Sequence, residues 1–284
     1  MAKTRILVIM AGGASSRMKR SLSEVPLDEK TRDIAQHNHK SLIPFGERNL
    51  PLLYYHFRLA KEAGVEEVFI ITPVDNDGFT AFIAGQSIQS EFRTLTIHLI
   101  PQTIPEGRDK PLGTADAVAQ ALIKNEQLRS SSFVVMNGDN LYSKGVLEAL
   151  FSLPESQQAL IGYAREGLRF SAERIQKFAV LQYDAQHALT QMIEKPTAAE
   201  VEHAKDPQGK VRVSMNIFKL FGPVIQPFLE QCPLHPIRQE KELPVAIQGC
   251  IQENPTAFLV IPRNEHVPDL TSAEDIEQIT KQIS

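Results

Sequence analysis

Along the chain, short unbroken apolar runs alternate with stretches in which apolar residues return every three or four positions. The first run, Arg5-Ile-Leu-Val-Ile-Met-Ala11, has strand length and ends at Gly12-Gly13. Consecutive apolar positions suit a strand covered on both faces, as in a parallel sheet. Leu50 to Ala63 then shows helical periodicity and stops at Gly64, a residue suited to a helix C-cap, before the strand Glu67–Thr72. Together these make one β-α-β unit.

The alternation predicts a helix near Asp77–Ser90, a strand Leu95–Ile100, a helix from Gly113 to about Leu128, and a strand Ser132–Met136 running into Asn137-Gly-Asp-Asn140. A helix near Lys144–Leu153 and a strand Ala159–Ala164 come next. Further on, strands are predicted near Phe178–Tyr183, Leu189–Glu194 and Val211–Lys219, and helices near Gly222–Glu230 and Glu240–Ile251. A strand Ala257–Ile261 precedes a helix from about Thr271 to Ile283. Strands alternating with helices of this length predict an α/β protein with a Rossmann-like, mostly parallel mixed sheet flanked by helices. Ligands in such folds collect at the carboxyl ends of strands. No linker, repeat or low-complexity tract interrupts the pattern, so one domain over residues 1–284 is expected.

Lys19–His39 departs from the pattern, with eight charges in 21 positions and few apolar residues. It is expected to add little to a core, and reads as an exposed insertion or a mobile lid.

Composition narrows the functions open to the chain. Of 284 residues, 42% are hydrophobic and 23% charged, which excludes disordered, collagen-like and coiled-coil classes. No apolar run approaches the roughly 18 residues needed to span a bilayer. Met1-Ala2-Lys3-Thr4-Arg5 resembles the start of a signal peptide, but Ile6–Ala11 is too short an apolar stretch to follow it, and a strand is expected instead. Two cysteines, Cys232 and Cys250, form no C-x-x-C pair, and a reducing cytoplasm fits them best. The formal net charge of −4, without a Lys/Arg block, gives no footprint for nucleic acid or anionic membrane. A small molecule or another protein, a homo-oligomer included, is the expected partner.

Candidate chemistry begins at Gly12-Gly13. Without Cβ atoms, backbone amides there can approach an anion, and Arg17 would add a forked cation suited to phosphate oxygens. A tight strand-to-helix turn would explain the bare glycine pair equally well. Neither G-x-x-x-x-G-K-[ST] nor G-x-G-x-x-G is present, which disfavours a P-loop kinase and a nicotinamide oxidoreductase. There is no G-x-S-x-G elbow for a serine hydrolase. His37 and His39 lack the further ligands that a zinc site needs.

The string Ile9-Met-Ala-Gly-Gly-Ala-Ser-Ser-Arg-Met18, with Lys40-Ser-Leu-Ile-Pro-Phe-Gly46 and Pro51-Leu-Leu-Tyr-Tyr55, resembles the opening of the sugar nucleotidyltransferases. Pro111-Leu-Gly-Thr-Ala-Asp-Ala-Val118, Val135-Met-Asn-Gly-Asp-Asn140, Met192-Ile-Glu-Lys-Pro196 and Val213-Ser-Met-Asn-Ile217 match that family in the same order. The resemblance implies a nucleotide-diphospho-sugar transferase fold, with about 1–150 as a nucleotide-binding half and about 151–284 as a sugar-phosphate-binding half. It also implies Mg²⁺-dependent joining of a nucleoside triphosphate to a sugar 1-phosphate with release of pyrophosphate, UTP and glucose 1-phosphate being the expected pair.

The chemistry asks mainly for charge. A sugar phosphate oxygen is already ionised near neutral pH, so no general base is required; two anions must be aligned and the charge on the leaving pyrophosphate neutralised. By the resemblance, Arg17 and Lys40 would serve the triphosphate and Lys195 the sugar phosphate. Ala11, Gly12, Gly13, Gln102, Gly113 and Thr114 would bind the nucleotide, and Asn137, Gly138, Glu194 and Asn216 the sugar. Asp139 and Asp269 would hold Mg²⁺, which needs few carboxylates. Several of these have plainer readings: Lys40 as a solvated lysine, Asp139 as a helix cap, Gln102 as an exposed loop amide and Asn216 as a cap on a neighbouring strand. Asp269 could be a turn residue, with Thr271 or Ser272 capping a helix and Glu274 in the capping-box position.

The long gap between Arg17 and Lys40 and the charged run Pro101–Leu112 depart from the family pattern and leave the substrate pair open. CTP or GTP with another phosphate acceptor is one alternative, and a non-catalytic nucleotide-binding subunit is another. The hexapeptide repeats that extend some relatives are not seen.

Overall fold

The computed structural model describes residues 3–13, 15–25, 29–37, 39–45 and 48–283, apart from the side chains at 16, 30, 31, 34 and 37. Ala14 and Gly46 of the family-like motifs, and the His37 side chain, lie outside the described part.

The chain runs β1 (Ile6–Met10), α1 (Ser16–Ser21), α2 (Glu29–His37), a 3₁₀ turn (Lys40–Leu42), β2 (Pro44–Phe45), β3 (Leu50–Pro51), α3 (Leu52–Glu62), β4 (Glu67–Thr72), α4 (Asp77–Ala84), α5 (Gln86–Glu91) and β5 (Thr96–Pro101). It continues through α6 (Thr114–Lys124), α7 (Glu126–Ser130), β6 (Ser132–Asn137), α8 (Lys144–Phe151), β7 (Gln158–Ala164), α9 (Ala172–Ile175), β8 (Val180–Tyr183), β9 (Leu189–Ile193) and α10 (Ala198–His203). The remaining elements are β10 (Arg212–Phe221), α11 (Gly222–Glu230), α12 (Leu243–Glu253), β11 (Phe258–Arg263) and α13 (Glu274–Ile283). This is the expected α/β class, with a mostly parallel sheet flanked by helices.

The chain forms two compact units, neither of them a continuous half. One comprises residues 1–103, 136–144 and 268–284, and the other residues 104–135 and 145–267.

In the first unit, β1 pairs in parallel with β4, Ile6 opposite Glu67, and β4 with β5, Glu67 opposite Thr96. Ile6 to Ile9 and Val68 to Ile71 are almost wholly buried, as a strand covered on both faces demands. Helix α3 buries Leu52, Leu53, His56, Phe57, Leu59 and Ala60 along one broad stripe. Its end is set by Gly64, whose φ of +67° is the left-handed conformation glycine adopts without penalty, while its N–H donates to the Lys61 carbonyl at 3.1 Å.

The expectation for Lys19–His39 is corrected here. From this segment Leu22 and Ala35, with Val25 against them, join Met18, Ile43, Phe45, Leu52, Leu270, Ala273, Ile276 and Ile279 in a buried cluster, so the segment contributes to a core. The Ser21 hydroxyl adds a tie by accepting from the Ala273 N–H at 2.9 Å. Sparse apolar residues sufficed because α13 brings a ready-made apolar face to them.

In the second unit, β7 pairs antiparallel with β10 and parallel with β11, and β8 pairs antiparallel with β9 and β10. The single helix predicted from Gly113 to Leu128 is two helices. Asn125 turns extended, and its side chain accepts from the Gln127 and Leu128 N–H groups, capping α7. In the first unit the predicted Asp77–Ser90 helix likewise divides at Gly85 into α4 and α5.

Candidate functional site

In the first unit, three strand ends carry the predicted residues. After β1, Gly12 and Gly13 lead to Ser15, which is buried and left-handed at φ 54°. Neither glycine has a positive φ. A Cβ on Gly13 would meet nothing within 4 Å, and one on Gly12 would meet only ordinary contacts at 3.5 Å to Thr72 and the Gln102 side chain. The chain's own packing therefore does not require glycine at either place, and the backbone at Gly13 is open.

Ser15 links this turn to Lys40. Its Oγ donates to the Gly13 carbonyl at 3.5 Å and accepts from the Lys40 N–H at 3.4 Å. His39, next to Lys40, bonds to the Gly13 backbone and packs on Phe79 with ring centroids 5.6 Å apart; burial pushes its pKa down. Arg17 projects from α1 and is exposed. After β4 and β5, Gln102 is buried and donates its N–H to the Thr72 carbonyl at 2.9 Å, so it is not an exposed loop amide.

Beyond β6, Asn137-Gly138-Asp139 forms a tight corner. Lys40 Nζ lies 3.3 Å from Asp139 Oδ2, so Lys40 is not a freely solvated lysine. Residues 139–141 run antiparallel to 268–270, with Leu270 N–H donating to the Asp139 carbonyl at 2.8 Å and Leu141 N–H to Pro268 at 2.9 Å. Burial raises the Asp139 pKa, Lys40 opposes that rise, and the negative charge of Asp269 adds to it. A carboxylate that is costly to ionise and faces a second carboxylate gains from a divalent cation, so the donor set fits a hard metal taking few protein ligands. Among the described residues, no group of three or more His, Cys, Asp and Glu could hold a metal. Water and phosphate oxygens would complete such a shell.

Asp269 accepts from the Thr271 hydroxyl at 2.7 Å. The alternative reading, with Thr271 or Ser272 capping a helix and Glu274 in the capping-box position, differs in its acidic partner, which is Asp275. Asp275 accepts from the Thr271 and Ser272 N–H groups at 2.8 and 2.7 Å, ahead of α13. That leaves the Thr271 hydroxyl to hold Asp269.

In the second unit, Gly113 has φ 108° and opens α6; a Cβ there would lie 2.5 Å from the Lys241 carbonyl. The Thr114 hydroxyl accepts from Leu243 N–H at 2.9 Å and the Ala115 N–H donates to Lys241 at 3.0 Å, so part of this helix start is engaged by the chain itself. The charged run after Pro101 is tied to the same neighbours, Arg108 donating to the Gln239 carbonyl at 2.7 Å.

Glu194 and Lys195 follow β9 and are exposed, with Lys195 left-handed at φ 50°. Desolvation by the surrounding chain raises the Glu194 pKa even though the side chain reaches the surface, Glu242 adds to the rise, and Arg238 and Lys195 oppose it. Asn216, at φ 56°, sits where β10 bulges against β7: Ser214 pairs with Gly162 but Phe218 with Leu160. Its N–H donates to Ser214 Oγ at 3.2 Å. Left-handed backbone at a non-glycine residue is uncommon and gathers where function fixes it.

The sequence motifs assign no role to Ser15, Ser41 and His56 in the first unit, or to Arg238 and Glu242 in the second, and His39, weighed only as half of a metal pair, packs instead on Phe79 beside the glycine turn. His56 had a usable signal as a polar residue on the buried stripe of α3. Arg238 and Glu242, four residues apart and joined at 2.6 Å, had none beyond their spacing.

The family model described as Nucleotidyl transferase matches residues 6–226. The chain belongs to this family. It is 26% identical over 247 residues to the low-salt glycan biosynthesis nucleotidyltransferase Agl11 of Haloferax volcanii, covering 87% of this chain and 57% of that protein, so it spans little more than half of that curated relative. A UDP-glucose pyrophosphorylase solved with UDP-glucose shares the fold at a TM-score of 0.72 and 17% identity, covering 99% of this chain and 98% of that one. A Bacillus anthracis protein assigned as glucose-1-phosphate thymidylyltransferase, solved with sucrose, shares it at 0.67 and 15%, covering 98% and 95%. Among the described residues, no helix is long and apolar enough to cross a membrane.

Proposed function

We propose that the protein transfers a nucleotidyl group from a nucleoside triphosphate to a sugar 1-phosphate. An oxygen of the sugar phosphate forms a bond to the α-phosphorus, the bond to the β-phosphate oxygen breaks, and pyrophosphate leaves with that electron pair. UTP and glucose 1-phosphate are the first pair to test; the likeness to a thymidylyltransferase makes dTTP the nearest competitor.

The observation that carries this reading is the Lys40–Asp139 pair with the Asp269 charge beside it, in the unit that also carries the open glycine turn. Ala11, Gly12, Gly13 and Arg17 receive the triphosphate, where backbone amides can reach phosphate oxygens unhindered. Gln102 reads the base edge, and Gly113 and Thr114 line the nucleotide. Asn137, Gly138, Glu194 and Asn216 hold the sugar, and Lys195 its phosphate. Asp139 and Asp269 hold Mg²⁺. When bound, that ion would screen the phosphate oxygens and stabilise the charge on the leaving group.

The test is pyrophosphate release with Mg²⁺ across UTP, dTTP, CTP, GTP and ATP, each against a panel of sugar 1-phosphates, with Asp139→Ala as control. Release that needs both substrates and vanishes in the variant is expected. Silence across the panel with nucleotide still bound would sink the reading in favour of another acceptor or a non-catalytic subunit.

A further inference from the structure

Two buried donors converge on one carbonyl beside Asp139. His56, fully buried on α3, meets the Gly138 oxygen with Nε2 at 3.1 Å, and Ser41 Oγ donates to the same oxygen at 3.2 Å. The Gly138 N–H donates to the Met10 carbonyl at 2.9 Å, and the Asp139 carbonyl accepts from Leu270. A carbonyl has two lone pairs, and both are used here. Gly138 also leaves no slack, because a Cβ would lie 2.9 Å from the Met10 oxygen and 3.0 Å from Ser41 Oγ. The peptide joining Gly138 to Asp139 is thus held by two bonds at its carbonyl, and the peptides on either side of it are each held by one bond, to Met10 and to Leu270.

We infer that His56 and Ser41 are positioning residues, fixing the plane of the Gly138–Asp139 peptide and so the direction in which Asp139 presents its carboxylate. The inference rests on the proposed metal role of Asp139. The chemistry of the ring supports it. A carbonyl can only accept, so His56 must carry its proton on Nε2, leaving Nδ1 buried without a partner among the described residues. A buried polar atom left unpaired is costly. Packing alone would be served as well by an apolar side chain of similar size; the donor bond is what the imidazole adds. Ser41 makes the arrangement reciprocal: Lys40 reaches the Asp139 carboxylate while its neighbour Ser41 holds the preceding carbonyl.

The test compares wild type, His56→Leu, His56→Gln, Ser41→Ala and Asp139→Asn. Each is assayed for pyrophosphate release as a function of metal concentration, and for Mn²⁺ binding by electron paramagnetic resonance with a non-hydrolysable triphosphate present. Far-ultraviolet circular dichroism and melting report the fold. His56→Leu is expected to raise the metal concentration for half-maximal rate, and the Mn²⁺ dissociation constant, about tenfold. The KM for sugar 1-phosphate should change less. His56→Gln, whose amide nitrogen can replace Nε2, is expected to recover most of the loss, and Ser41→Ala to show a smaller shift in the same direction. A folded His56→Leu with unaltered metal dependence overturns the proposal, and so does a His56→Gln no better than leucine. Should His56→Leu fail to fold, unchanged Mn²⁺ binding in Ser41→Ala overturns it. Asp139→Asn binding Mn²⁺ as wild type does would instead bring down the metal role itself, and the positioning role with it.

Discussion

The corner around Asp139 and the pair Lys195 and Asn216 hold polar groups by opposite means. At Asp139, buried side chains meet backbone carbonyls and an ion pair, and the backbone is fixed by its partners. At Lys195 and Asn216 the backbone itself is unusual, left-handed at φ 50° and 56°, and Lys195 stands in solvent. The first arrangement places charge by satisfying hydrogen bonds. The second places side chains by bending the chain, at a cost of roughly 1–2 kcal/mol for Lys195 and less for Asn216, since asparagine tolerates the left-handed region. Changes at Asp139 should therefore be felt through chemistry and stability together, whereas at Lys195 the two should separate.

The largest effect expected is on turnover. Asp139→Asn should lower kcat roughly a hundredfold or more in the pyrophosphate assay, in a protein that still folds but melts at a lower temperature. Next is a pH effect on stability from His56, whose pKa burial pushes down to about 4 from 6.5. Between those values the unfolded chain binds the proton and the folded one does not. Stability should therefore rise with pH from about 4 to 6.5 and level off above, by about 3 kcal/mol in all. Urea unfolding at several pH values measures this, and His56→Gln should flatten the rise over that interval.

Gly138→Ala should cost about 1–3 kcal/mol by forcing a Cβ against Met10 and Ser41, seen as a lower urea midpoint at constant slope. The smallest effect separates the two regions most sharply. Lys195→Gly should gain about 1 kcal/mol of stability by relieving the left-handed strain, while raising the KM for sugar 1-phosphate roughly tenfold. Loss of both stability and affinity would show that Lys195 is held by contacts rather than by backbone shape.

The strands were legible because unbroken apolar runs such as Ile6–Met10 and residues 68–71 admit few other states. Helix breaks were not. The apolar period carries across Asn125, and only the side-chain cap at Asn125 shows where one helix ends and the next begins. Lys40 and Asp139 were found by their motifs, and the structure brings them within 3.3 Å. Ser41 and His56 escaped because each is ordinary in its own segment; their shared acceptor lies 97 and 82 residues away. The Lys19–His39 segment was misjudged for the same reason. Its apolar residues are few, and the partners that bury them come from positions 270–279.

That last cluster has a consequence for synthesis. The segment following the glycine turn, with Met18, Leu22 and Ala35, is sealed by Leu270, Ala273, Ile276 and Ile279. As the chain leaves the ribosome, the strands of the first unit can pair early, but Met18, Leu22 and Ala35 stay uncovered until α13 has emerged. The apolar cluster beside the glycine turn is thus completed only by a segment that follows it by some 250 residues, a separation of 252 between Ser21 and Ala273.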